Sequence, residues 1–291
     1  MAQLVARHLA HPGLRRRWLA GVALAAGALA FGIDQAITWF AAHPMAWHGL
    51  QASLLAGLAT GIGALPVLFL RRPNEGLMAP MLGLAAGMML AASLFSLLVP
   101  AVETVAASGA PWTLGCLTAL ALLAGAAIMH GIDRRTAHAH VEDIDSRQDL
   151  PRIGLVVAAI ALHNVPEGLA VGVAAASGVD HGMSLGIAIQ NVPEGWIVAS
   201  AMLVLGAGPW RAALMALATG LVEPVGGLFG VIASSLAGAT LPLALAAATG
   251  AMLWVVSHEL IPASHRAGRE AAGTAGLLAG FAVMTTLAVA I

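Results

Sequence analysis

Nine stretches of this chain are each long and apolar enough to cross a lipid bilayer, and that feature limits the fold more than any other. They cover approximately residues 18–40, 48–70, 77–101, 112–131, 153–176, 184–207, 212–235, 241–262 and 271–290. A hydrocarbon core takes roughly 20 helical residues to cross. Inside it every backbone N–H and C=O must be satisfied by the helix itself. Hydrophobic residues make up 59% of the chain and charged residues 9%, against about 25% charged in soluble domains. The expectation is an all-α polytopic membrane protein, with a single transmembrane domain over residues 1–291. A formal net charge of -1 argues against nucleic acid as a partner. The one cysteine, Cys116, excludes a disulfide framework and a thiolate metal cage.

The first stretch has two readings. Arg15-Arg16-Arg17, an apolar run and Ala28-Leu29-Ala30 have the order of a secretory signal peptide. The apolar run continues through Trp39-Phe40, which favours a retained span over residues 18–40. All thirteen basic residues are arginines, and nine spans put every one on the same side. They are Arg7, Arg15, Arg16 and Arg17; Arg71 and Arg72; Arg134, Arg135, Arg147 and Arg152; Arg211; and Arg266 and Arg269. Short arginine-rich loops stay cytoplasmic, so the N-terminus is expected inside and the C-terminus outside. Trp18, Trp39, Trp47, Trp112 and Trp210 fall near span ends, as interfacial anchors do. Glycine-rich runs such as Gly83-Leu84-Ala85-Ala86-Gly87 allow helices to approach closely.

Within this apolar background one polar motif occurs twice. His163-Asn164-Val165-Pro166-Glu167-Gly168 and Gln190-Asn191-Val192-Pro193-Glu194-Gly195 lie in the fifth and sixth spans, 27 residues apart. On a helix His163 and Glu167 share a face, as do Gln190 and Glu194. Pro166 and Pro193 withhold an N–H from the carbonyls of Leu162 and Ile189 and favour a kink. A third buried carboxylate, Glu223, precedes Pro224. A charge at mid-membrane costs about 2.5–3.5 kcal/mol, so three cost on the order of 8–10 kcal/mol. Either a bound divalent cation or protonation with hydrogen bonding must offset that, and the two compete for the same oxygens. Consecutive spans run antiparallel, so a twofold axis in the membrane plane would bring the motifs face to face, a transporter pattern.

Met89 in span three is a candidate thioether ligand, although adjacent Met88 and Met89 also suit plain core packing. Imidazole with carboxylate and amide oxygens suits Zn²⁺, Fe²⁺, Mn²⁺ or Cd²⁺ better than Cu⁺. His258, Glu259 and His265 lie near the arginine-bearing end of span eight. They read equally as an exit site or as a polar helix end. Ser93 and Ser96 either line the pathway or back-bond to their helix. The loop over about 132–152, with Asp133, His138, His140, Glu142, Asp143 and Asp145 and His130 at its edge, reads as a metal-collecting segment or an ordinary solvated loop. Asp180 and His181 fall in an outer loop and are expected to be solvated.

At these residues the chain resembles the ZIP family of divalent metal transporters, particularly its bacterial members. The paired HN-x-PEG and QN-x-PEG segments carry the resemblance, with Gly87-Met88-Met89, Glu223-Pro224 and Ser257-His258-Glu259 in the expected order. The resemblance implies an eight-helix ZIP-like bundle in an inverted 3+2+3 arrangement, plus one extra N-terminal transmembrane helix. It implies a binuclear midplane site. One metal position would use Met89, His163, Glu167, Gln190 and Glu194, and the other Asn164, Glu167, Asn191, Glu194 and Glu223. It further implies import into the cytoplasm by alternating access of the elevator type, a homodimer in the inner (plasma) membrane, and no organic cofactor. Two positions depart from the family pattern: many relatives have His where Gln190 stands, and some have Asp where Asn191 stands. The two metal positions should therefore differ in affinity, with the second ancillary.

Two other functions compete. An intramembrane metalloenzyme would carry His-Glu-x-x-His or Glu-x-x-His, and the chain has neither. A proton-coupled carrier of a non-metal solute would use the same glutamates as a relay.

Overall fold

The computed structural model describes residues 12–69, 75–136, 150–177, 183–235 and 240–290, and every regular element among them is helical. The chain divides into two compact units, Met1–Trp47 and His48–Ile291. The first contains α1, Pro12–Ala42, a single helix that starts six residues before the apolar run expected at 18–40. It stops at His43 because the residue before a proline is driven out of the helical region, and Pro44 opens the next helix. At its end Trp39 stacks on His43 and meets Phe40 edge-on, an aromatic group suited to a membrane–water boundary.

The second unit is built from α2 (Pro44–Ala64, from His48 onward), α3 (Glu75–Ala92), α4 (Val99–Ala106), α5 (Pro111–Thr136), α6 (Leu150–Ser177), α7 (Met183–Val204), α8 (Pro209–Gly220), α9 (Glu223–Ser235), α10 (Thr240–Val255), α11 (Ile261–Ser264) and α12 (Glu270–Ala290). Seven helical runs among the described residues meet the length and apolarity needed to cross a bilayer, from Pro44–Leu68 to Glu270–Ala290. The distribution of polarity is inverted relative to a soluble protein. Leu120, Leu123 and Ile128 are more than 60% exposed, while Glu167 and Glu223 are 1% and 0% exposed. Apolar outside and carboxylate inside is the arrangement lipid demands. The chain is an all-α polytopic membrane protein.

Three features of the helices bear on the site. Pro166 and Pro193 lie inside α6 and α7, yet each helix continues through its proline. The break comes instead in the seventh span. It was expected as one run over 212–235, but Leu221 and Val222 separate α8 from α9 and leave Glu223 in the first turn of α9. Pro224 has no N–H to extend α8 across that point. An acidic residue is also favoured at a helix N-terminus, where free N–H groups point outward.

Third, two helices carry π turns, Ser93–Leu98 between α3 and α4 and Val256–Leu260 between α10 and α11. Val99 N–H bonds to the Leu94 carbonyl and Ile261 N–H to that of Val256. Each turn runs into a matching segment, Leu98-Val99-Pro100-Ala101 and Leu260-Ile261-Pro262-Ala263. The same irregularity in spans three and eight is what an inverted repeat produces. Single-turn π insertions occur frequently at functional sites.

Candidate metal centre

Helices α6, α7 and α9 bring Asn164, Glu167, Gln190, Asn191, Glu194 and Glu223 into one place between them. Glycine allows the approach. A Cβ at Gly168 would collide with the Glu223 carbonyl of α9, and one at Gly195 with the Thr60 carbonyl of α2. Each motif thus ends on the glycine that seats its helix against a neighbour. The glutamate one residue earlier then points into the space between helices.

There Gln190 Nε2 donates to Glu167 Oε1 at 2.6 Å, linking α7 to α6. Asn191 Nδ2 donates to Glu223 Oε1 at 2.6 Å and to the Ala56 carbonyl of α2 at 2.8 Å. Glu194 and Glu223 lie within electrostatic reach of Glu167, and Asn164 lies close to the Glu194 carboxylate. Seven buried polar atoms in this group have no hydrogen-bond partner among the described residues: both amide atoms of Asn164, Oε2 of Glu167, Glu194 and Glu223, Oε1 of Gln190 and Oδ1 of Asn191. Five of the seven are carboxylate or amide oxygens other than those of Asn164, from three different helices. Leaving such atoms unpaired costs about 1–3 kcal/mol each, more for charged ones. A divalent cation coordinated by those oxygens would offset that cost.

Met89, 4% exposed, belongs to a core cluster that also contains Ala170 of α6 and Ile187 of α7. Its helix packs against α7, and Met88 is buried beside it in the same cluster. Ser93 back-bonds to the Leu90 carbonyl, the local alternative weighed from sequence. Among the described residues no three His, Cys, Asp or Glu side chains meet as a ready-made cage. A cation held among these side chains would take amide oxygens beside the carboxylates.

His163 reaches outside its own motif: its Nε2 stands 3.3 Å from Glu259 Oε1 in the second π turn. Next to it, His258 Nε2 is 3.3 Å from Asp133 Oδ2. Asp133 also lies within electrostatic reach of both His163 and Glu259. Trp254 contacts His130 edge-on at 4.5 Å and His258 at 4.8 Å between ring centroids. A polar sequence thus leads from the motif on α6 through Glu259 to Asp133 and His258. His265 is held by Thr274 of α12, with Nε2 and Oγ1 3.0 Å apart.

Asp133 is the residue that sequence reasoning misplaced. A loop was expected from 132, but α5 runs through Thr136, so Asp133 occupies its last turns, 9% exposed. Its spacing of three from His130 was the available signal, since i and i+3 share a helix face. His138, His140, Glu142, Asp143 and Asp145, like Asp180 and His181, lie outside the described residues.

The chain is similar to known proteins over most of its length. The family profile described as ZIP Zinc transporter matches residues 133–288. The chain is 45% identical over 250 residues to the zinc transporter GufA of Myxococcus xanthus, an alignment covering 82% of this chain and 97% of that protein. It is 43% identical over 236 residues to the zinc transporter ZIPB of Bordetella bronchiseptica, covering 79% and 76% respectively. With the zinc transporter ZupT of Stenotrophomonas maltophilia it shares 36% over 259 residues, 84% of this chain and 95% of the relative.

Proposed function

Because the chain belongs to the ZIP family of zinc transporters, a family of carriers and not of enzymes, we propose that it imports Zn²⁺ into the cytoplasm across the inner membrane. Cd²⁺, Fe²⁺ and Mn²⁺ suit the same donors and are expected as weaker cargo. The observation that carries the reading is the convergence of unpartnered carboxylate and amide oxygens from α6, α7 and α9. Our ligand assignment gives the first position Met89, His163, Glu167, Gln190 and Glu194. The second has Asn164, Glu167, Asn191, Glu194 and Glu223. Glu167 and Glu194 bridge the two.

The route from His163 to Glu259, Asp133 and His258 ends on the arginine-bearing side, which we assign to the cytoplasm, with the N-terminus inside and the C-terminus outside. Those residues form the exit. His265, tied to α12, takes no part in our reading.

For movement, an elevator is favoured by where the tight contacts fall. Glycine approaches of backbone to backbone join α2 with α8 (Gly57 to Gly220) and with α7 (Gly63 to Val192), and α6 with α9 (Gly172 to Gly227). A separate set joins α3 with α12 (Gly83 to Gly273) and α5 with α10 (Gly125 to Ala247). Across the two sets, Gly186 of α7 meets the flexible side chains of Met284 and Leu287. A first group locked by backbone contact, meeting α12 at Gly186 through flexible side chains, suits sliding against its neighbours. A homodimer is the expected assembly, and light scattering of the detergent-solubilised protein tests it.

Radiotracer zinc uptake into proteoliposomes tests the function. Wild-type protein should accumulate zinc, and Glu167→Ala with Glu194→Ala should abolish uptake. Unchanged uptake in that double variant defeats the reading. Transport of a non-metal solute that survives strong chelator would favour the proton-coupled alternative.

A further inference from the structure

The transport reading treats Asn191 as a metal ligand, but the structure gives its side chain a second task. The group 2.8 Å from the Ala56 carbonyl must be the amide nitrogen, because a backbone carbonyl only accepts. The same nitrogen is 2.6 Å from Glu223 Oε1. Its two hydrogens are therefore both committed, one to the main chain of α2 and one to the carboxylate at the start of α9. Asn191 Oδ1 and Glu223 Oε2 are buried and accept no hydrogen bond among the described residues.

We infer that Asn191 is a positioning residue that ties the Glu223 carboxylate to the α2 backbone at Ala56, so that it acts on the cargo through Glu223. The inference rests on the transport reading for its meaning but not for its geometry. Its neighbour Gln190 does the same for Glu167, so consecutive amides on α7 hold carboxylates from two different helices. The tie has a strict chemical requirement. An ionised aspartate at this position would have the same shape but would donate nothing. Its carboxylate would face the Ala56 carbonyl and the Glu223 carboxylate, and a metal cation or a proton would be needed to bridge them. The amide thus lets this region pack without metal. The second metal position then keeps one free oxygen of Glu223 for cargo instead of two.

The test is thermal melting of the purified full-length protein in chelator and in saturating Zn²⁺, for wild type, Asn191→Asp, Glu223→Gln, and Asn191→Asp with Glu223→Gln. Asn191→Asp should melt several degrees below wild type in chelator and gain more from Zn²⁺ than wild type does. In the double variant the amide introduced by Glu223→Gln would donate to the carboxylate introduced by Asn191→Asp, and part of the loss in chelator should be recovered. If Asn191→Asp alone cannot be purified, the double variant should be. Melting of Asn191→Asp equal to wild type in chelator overturns the tie. So does a double variant no better than the sum of its two single changes. The transport reading fails separately, on absence of zinc uptake by wild type, and leaves the chelator measurements standing.

Discussion

Adding one methyl group at Gly195 should disable the carrier although the residue offers no ligand atom. A Cβ there would stand 2.6 Å from the Thr60 carbonyl carbon and 2.9 Å from its Cα, with the carbonyl oxygen closer still. Ordinary contact begins at 3.4 Å, so α2 and α7 must part by at least about 0.8 Å. Both neighbours are backbone, and no side chain can rotate away. Overpacking of this kind costs about 1–3 kcal/mol. Glu194 immediately precedes Gly195 and moves with it. Misplacement near 1 Å in a positioned site costs on the order of 100-fold. The expected result for Gly195→Ala is a comparable loss in initial zinc uptake per reconstituted molecule, together with a lower Tm. Gly115→Ala serves as the control, since its Cβ would meet only Val105 at 3.9 Å. Uptake by Gly195→Ala within twofold of wild type would refute the claim that this close approach sets the ligand geometry.

Zinc should stabilise the wild-type protein by mass action, by about 2.7 kcal/mol at one hundred times Kd; the shift in Tm measures it, and Glu167→Ala with Glu194→Ala should lose it. Glu259→Gln should slow turnover about tenfold, equivalent to ~1.4 kcal/mol on the barrier, because it removes the charge 3.3 Å from His163. Saturation kinetics should put that loss in maximal rate and leave the zinc KM close to wild type. Pro193→Ala should restore a donor for the Ile189 carbonyl inside α7 and raise Tm, since the helix already continues through that position. A lower Tm in that variant would mean that the proline ring is packed and not merely tolerated.

The helical inventory was readable because hydropathy over roughly 20 residues integrates many side chains, and single errors average out. The breaks were not, because they depend on one or two backbone groups. Leu221 and Val222 are as apolar as the rest of their span, so nothing in composition marks where α8 ends. A π turn likewise adds a single residue to a helix, below the resolution of any apolar pattern. The buried polar cluster proposed as the centre was legible through duplication: two copies of one motif in adjacent spans single out Glu167, Gln190, Asn191 and Glu194 without coordinates, and the structure brings them together. Partners from distant spans were not legible. The approaches of His163 to Glu259 and of Asp133 to His258 join residues far apart in the chain. The pair of hydrogen bonds from Asn191 also needed coordinates, because only the Ala56 carbonyl fixes which way its amide points.

Anomalous scattering from crystals grown with zinc, recorded above and below the zinc absorption edge, tests the central claim most directly. The account predicts a peak about 2.0–2.2 Å from carboxylate oxygens of Glu167 and Glu194, with His163 and Gln190 in the same shell and a weaker second peak toward Glu223. Zinc bound only at surface histidines, with Glu167 and Glu194 still held by protein amides, would contradict it.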